Sequence, residues 1–214
     1  MKYRKLVENA KKPNGFWGKM MIKAMNKGHS CLTSWGLEHM NIERTATVLD
    51  IGCGGGKTVD RLCSIVANGK VYGIDYSELS VKSSEKLNSK NILCNKAKIL
   101  QASVSDMPFD DNTFDNITAV ETYYFWPDKE NDVKEVFRVL KQGGTVMLLF
   151  EMLRTDDDPF KWEKVENMLN IKSVTPQEIR AVLESAGFEN INTYTKEGTT
   201  WLCATAQKPK DDEN

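Results

Sequence analysis

Val48-Leu49-Asp50-Ile51-Gly52-Cys53-Gly54-Gly55-Gly56-Lys57-Thr58 joins a short apolar run to a glycine-rich loop. Three loop types share that outline, and each implies different chemistry. A phosphate-binding loop needs Gly, four residues, then Gly-Lys-Ser/Thr. Gly56-Lys57-Thr58 supplies the end of that pattern, but its first glycine falls on Ile51, inside the apolar run. Starting from Gly52 leaves the loop one residue short, so its backbone N–H groups cannot ring a phosphate in the same way. A dinucleotide loop, Gly-x-Gly-x-x-Gly, puts its third glycine on Lys57 or Val59, where close helix–strand packing calls for no side chain. The third form, an acid followed by alternating glycines, fits from Asp50 through Gly56. Asp50 then stands at the carboxyl end of a parallel strand, where open α/β sheets bind ligands. Its carboxylate can hold an ammonium group, directly or through water. The glycines let the backbone approach a ligand with no Cβ in between.

The next apolar run, Val71-Tyr72-Gly73-Ile74-Asp75, ends on an acid 19 residues after Gly56 (75 − 56). An acid so placed accepts hydrogen bonds from both hydroxyls of an adenosine ribose. Capping the helix after Tyr76 is the alternative. Further strands are expected at Lys98–Gln101, Asn116–Val120 and Thr145–Glu151, with Thr47–Ile51 and Lys70–Asp75 before them. Helical stretches such as Lys57–Val66, Ser80–Ser89 and Lys129–Leu140 lie between. That alternation predicts parallel pairing through right-handed crossovers. Thr175-Pro176-Gln177-Glu178 reads as a capping box with proline at the first helical position, opening a helix that stops near Gly187. Ile191–Tyr194 and Thr200–Ala206 flank Glu197-Gly198 and predict a terminal hairpin. The expected fold is α/β: a Rossmann-like, doubly wound, seven-stranded, mostly parallel sheet with an antiparallel terminal strand and an N-terminal helical cap. Residues 1–44 are expected to form the cap, 45–207 the catalytic domain and 208–214 a frayed polar tail.

Composition narrows the function classes. The 214 residues are 40% hydrophobic, enough for a full core, and carry a net charge of −1. That balance argues against general nucleic-acid affinity. Residues 1–28 hold eight Lys and Arg against one acid, Glu8. There Trp17, Met20, Met21, Ala24 and Met25 recur near helical spacing, with Lys19, Lys23 and Lys27 on the other side. Such a helix packs on the main domain or lies on a membrane surface. The five cysteines are odd in number and lack metal-finger spacing, which suits free thiols in a reducing compartment. No metal site is expected. No signal peptide or membrane span is recognisable, so a cytoplasmic protein with no stable membrane insertion is expected.

Four stretches together resemble the class I S-adenosylmethionine-dependent methyltransferases. They are VLDIGCGGGKTVDRL (48–62), VYGIDYSELSV (71–81), ASVSDMPFDDNTFD (102–115) and EVFRVLKQGGTVMLLFE (135–151). The resemblance implies S-adenosylmethionine as cofactor and in-line methyl transfer to a nucleophile. It places Asp50, Gly52, Cys53 and Gly54 against the methionine half, Asp75 on the ribose, and Tyr76 and Ser77 beside the adenine. Many members carry an acid after strand three for the adenine amino group. Ser103 stands there in this chain, leaving more of the recognition to backbone at Val104 and Ser105.

The end of strand four faces the methylthio group in this family, which brings Glu121 to the cofactor. Glu121 can also orient the acceptor or take a proton. Tyr124, with Tyr123, Phe125 and Trp126, either packs the core or walls the pocket. His29 is a candidate base at the pocket mouth or a polar cap residue, and His39 reads as structural. A base is needed only for a nucleophile that stays protonated near pH 7. No motif names the acceptor; a small molecule is expected, and a non-catalytic S-adenosylmethionine sensor is the alternative. The insert Arg154–Thr175, with Asp156-Asp157-Asp158, is a solvated loop or an acidic lure for a cationic substrate.

Overall fold

The computed structural model describes residues 29–210, together with Gly15, Gly18, Met20 and Ile22. The rest of the basic amphipathic stretch lies outside the described residues, as do residues 211–214.

Helix α1 (Ser30–Leu37) precedes β1 (Thr47–Ile51), α2 (Lys57–Ile65), β2 (Lys70–Asp75), α3 (Glu78–Leu87), α4 (Ser89–Leu93) and β3 (Ala97–Gln101). Then come β4 (Phe114–Val120), a 3₁₀ turn (Tyr123–Phe125), α5 (Lys129–Val139) and β5 (Leu140–Phe150). Helices α6 (Glu163–Leu169) and α7 (Pro176–Ser185) lead to β6 (Glu189–Thr195) and β7 (Leu202–Gln207). The seven strands are ordered β3-β2-β1-β4-β5-β7-β6. Pairing is parallel except at β7, which runs antiparallel to both β5 and β6. The chain leaves β1 toward β2 and β3, then returns to place β4 on the other side of β1. That reversal opens a crevice at the carboxyl ends of β1 and β4.

Burial explains why these runs are strands. Val146 to Phe150 are at most 1% exposed, the near-continuous apolar run of a strand covered on both faces. Thr175 Oγ1 accepts from the Glu178 N–H at 3.2 Å, and the Glu178 carboxylate accepts from the Thr175 N–H at 2.9 Å. The expected capping box is therefore present.

Three expectations shift. Strand β5 begins at Leu140, not Thr145, because the chain pairs before Gly143-Gly144 as well as after it. The 154–175 insert is not all loop: it contains α6, and Trp162 Nε1 donates to the Leu153 carbonyl at 2.9 Å while Ser173 binds the Glu166 carboxylate. Lys208, expected in a frayed tail, is only 9% exposed. Its N–H donates to the Gly144 carbonyl at 3.0 Å, and its ammonium donates to Asn112 and the Phe137 carbonyl. The packed fold thus extends one residue into the segment assigned to the tail.

One side chain holds the approach to β4. Arg138 donates to the carbonyls of Phe109 (2.8 Å) and Met107 (3.2 Å) and pairs with Glu135 and Asp111. Glu135 in turn accepts from the Met107 N–H. The Met107-Pro108-Phe109 turn is thus tied to α5. Arg138→Ala leaves these acceptors without their donor; partial exposure discounts the ion pairs, so a loss of roughly 1–3 kcal/mol is expected. Urea unfolding checks it, and an unchanged midpoint would show that the turn holds itself.

Candidate active site

At the crevice, Asp50 ends β1 with 2% of its surface exposed. Thr118 Oγ1, on the neighbouring β4, donates to Asp50 Oδ1 at 2.7 Å. The loop then turns through three left-handed glycines, Gly52, Gly54 and Gly56. Gly52 has φ +68°, and a Cβ there would run into the Thr122 side chain. Gly54 has φ +53° and donates its N–H to Asp75 Oδ2 at 2.9 Å. The other Asp75 oxygen accepts from the Ser77 N–H at 2.8 Å. Cys53 is anchored by its N–H on the Ile74 carbonyl, with its sulfur 3.8 Å from Ser84 Oγ. Lys57 and Thr58 do begin α2, but both also line the cavity.

A single cleft collects most of the expected site. Asp50, Gly52, Cys53, Gly54, Asp75, Tyr76, Glu121 and His29 all line it, with Ile22, Val120, Thr122 and Phe125. The cleft is open to solvent on one side. Burial pushes the Asp50 carboxyl up to about 7, against the Thr118 hydrogen bond, and nearby Asp75 adds to the rise. Asp75 is also raised, by burial, although two backbone N–H groups oppose the shift. A buried acid pair of this kind is suited to a cation. Such an arrangement can hold a cation at Asp50 and accept hydrogen bonds at Asp75.

Other expected residues fall elsewhere. Ser77 is 1% exposed, and its hydroxyl caps α3 by accepting from the Ser80 N–H. Val104 packs into the core, and Ser103 Oγ accepts from the Ser105 N–H at 3.2 Å. None of these three serines nor Val104 lines the cleft. Tyr76 is 40% exposed at its rim, and Gln101 Nε2 donates to its carbonyl.

Past β4 the backbone turns sharply, and Glu121 takes φ +56°. Its Oε1 accepts from the Glu151 N–H and, at 3.3 Å, from the Tyr124 hydroxyl. The Tyr124 oxygen accepts from the Met152 N–H at 3.0 Å. Tyr124 therefore stands behind Glu121 as its support and is itself core, along with Tyr123 and Trp126. Of the four aromatics only Phe125 lines the cleft. Burial pushes the Glu121 carboxyl up to about 8, with Glu151 adding to the rise. His29 Nε2 lies 3.9 Å from Glu151 Oε2. Burial lowers the His29 pKa, and Glu151 opposes this. His39 stacks on Tyr194, centroids 4.0 Å apart, a structural placement.

Sequence reasoning missed Arg61, which lines the cleft and donates to the Ser30 carbonyl and hydroxyl, both at 3.0 Å. The bond fastens α1 to α2 across 31 residues (61 − 30), and no local pattern announces it. Glu151, just after β5, was read only as the end of a strand.

Comparison with known proteins decides the family. Residues 49–148 match the family described as a methyltransferase domain. Over 181 residues the chain is 31% identical to the ubiquinone/menaquinone biosynthesis C-methyltransferase UbiE of Cronobacter sakazakii, covering 73% of this chain and 72% of that one. The chain belongs to the class I S-adenosylmethionine-dependent methyltransferases. This methyltransferase is also 28% identical to the uncharacterised methyltransferase YdaC of Bacillus subtilis, over 83% of this chain and 92% of that one. It spans only 42%, 30% and 48% of two fungal sterol 24-C-methyltransferases and a Geobacillus demethylmenaquinone methyltransferase that it also matches. In fold it is similar to a chain in the complex between the Haloferax volcanii Trm112 methyltransferase activator and a methyltransferase. That match has TM-score 0.76 at 20% identity, over 90% of this chain and 95% of that one. The cofactor of the methyltransferase is S-adenosylmethionine.

Two outcomes follow from the acids. Asp75→Asn should weaken S-adenosylmethionine binding at least about ten-fold by calorimetry, the loss of charge-assisted bonds to hydroxyls. Unchanged affinity would remove Asp75 from ribose binding. Asp50 titrates above its unfolded value, so the stability it contributes is present at low pH and is lost as pH rises through about 7. A bound ammonium group offsets that loss. The thermal shift caused by S-adenosylmethionine should therefore grow between pH 6 and pH 8, and Asp50→Asn should flatten the dependence.

Proposed function

We propose that the methyltransferase transfers its methyl group by in-line displacement to a nucleophile of a small-molecule acceptor. The observation that carries this reading is the pairing, in one cleft, of the Asp50–Gly54 loop with the Glu121 edge. Sheet order sets the direction. Asp75 ends β2, Asp50 ends β1, and Glu121 follows β4. Ribose, ammonium and acceptor sites are then laid out across three adjacent strands, with Tyr76 on the adenine side. The sulfonium supplies the driving force, so the protein mainly positions the reactants and excludes water. Ile22, His29 and Phe125 close the acceptor side, and residues 1–44 act as the cap over a catalytic unit that begins near residue 45.

Glu121 touches the methyl-donor side of the cleft and Tyr124 keeps it placed. With no metal bound, His29 is the group positioned to take a proton where the acceptor needs it. Ser103, Val104 and Ser105 do not line the cleft, so the adenine end is assigned to Tyr76 alone. The net charge of −1 favours a small acceptor over nucleic acid. Among the described residues no helix is long and apolar enough to cross a membrane, consistent with a cytoplasmic enzyme. A sensor that binds the cofactor without transfer finds less support, since the relatives above are named as methyltransferases.

Labelled S-adenosylmethionine incubated with the protein and a metabolite extract should place label in the small-molecule fraction. Label confined to macromolecules would overturn the acceptor class. Persistent absence of transfer with intact cofactor binding would favour the sensor.

A further inference from the structure

Three donors converge where β4 and β5 end. Glu121 follows β4, Glu151 follows β5, and His29 caps α1. One ligand atom from each lies within 4.8 Å of the other two. We propose that His29, Glu121 and Glu151 bind a divalent cation of the manganese-to-zinc class at the acceptor end of the cleft. Donor atoms on an ion with bonds near 2.1 Å stand about 3 to 3.5 Å apart, so the observed spread closes with small side-chain rotations.

Each ligand is held by its own element. The His29 carbonyl accepts from the Thr33 N–H and hydroxyl, both at 2.8 Å, which fixes its place at the head of α1. The Glu121 N–H donates to the Leu149 carbonyl at 2.9 Å, and its Oε1 is taken by Glu151 N–H and Tyr124. That leaves the second carboxylate oxygen for a ligand. The Glu151 side chain is 47% exposed and has His29 as its ion-pair neighbour at 3.9 Å, beyond hydrogen-bond length.

The donor chemistry selects the ion. One imidazole with two carboxylates suits Mn²⁺ or Zn²⁺, whereas Mg²⁺ and Ca²⁺ favour all-oxygen shells. Three protein ligands leave positions open, the pattern of a catalytic rather than a structural site. His29 and Glu121 both line the cleft, so those positions face the acceptor space. The acceptor class is then a molecule that offers an oxygen donor, such as a phenolic, enolic or carboxylate group. The ion's role rests on the methyltransferase reading; its binding does not.

The test is Mn²⁺ titration of the full chain by electron paramagnetic resonance, with S-adenosylmethionine affinity measured in the same samples. One saturable Mn²⁺ per chain is expected, with nitrogen coupling from His29. Glu151→Gln and His29→Ala should each weaken it about 10- to 100-fold, and His29→Ala should erase the coupling. Thermal midpoints identify any variant that fails to fold, and the exposed Glu151 keeps the test informative if Glu121→Gln does not. No saturable Mn²⁺ or Zn²⁺ binding up to about 1 mM, or binding that survives both substitutions, would overturn the site. No ion binding by the unsubstituted chain with cofactor binding intact sinks this proposal alone, whereas absent cofactor binding sinks the cofactor assignment.

Discussion

The Asp75 carboxylate holds the carboxyl edge of the sheet in register. One oxygen takes the Gly54 N–H of the first loop, the other takes the Ser77 N–H at the head of α3. The loop after β1 is thereby fixed to the end of β2. The Cys53 N–H on the Ile74 carbonyl reinforces the same junction. Each carboxylate oxygen has lone pairs left over, so the residue that organises the loop can also receive hydroxyls. The two readings of this acid, helix terminus or ribose partner, are compatible: it binds the Ser77 backbone while the Ser77 side chain supplies the cap.

The edge is assembled from acids at an electrostatic cost. Asp50, Asp75 and Glu121 all line one cleft, and burial raises the pKa of each. Removing carboxylates from water disfavours their charged forms, and Asp50 and Asp75 repel each other. A ligand that brings positive charge relieves that cost. The free protein is therefore less stable near neutral pH than its packing alone would make it, and selectivity for a cationic cofactor comes from the same imbalance.

The strand–helix alternation from Thr47 to Gln207 was legible because the central strands are apolar runs and most turns carry Gly, Pro or an acid. The Asp50 loop and Asp75 were legible because backbone geometry requires those residue types locally. What escaped depends on partners far along the chain. Arg61 bonds Ser30, and Lys208 reaches Asn112 and Phe137; nothing in a window around either residue specifies the partner. Tyr124 escaped differently. The sequence left it between core and pocket wall; the turn after β4 sends its ring into the core and leaves its hydroxyl on Glu121. Ser77 and Val104 fit family positions in sequence, yet their side chains are spent on a cap and on packing.

The position of β7 has a consequence in time. It lies between β5 and β6, yet it comes after both in the chain. During synthesis β5 presents an unpaired edge, with its buried Leu148-Leu149-Phe150 run beside it, until residues 202–207 have emerged. Such an edge invites pairing with other chains. The cofactor crevice lies on the opposite side of β4 from this edge, between strands made earlier. The ligand-binding half can thus take shape while the half that protects it from aggregation is still being translated.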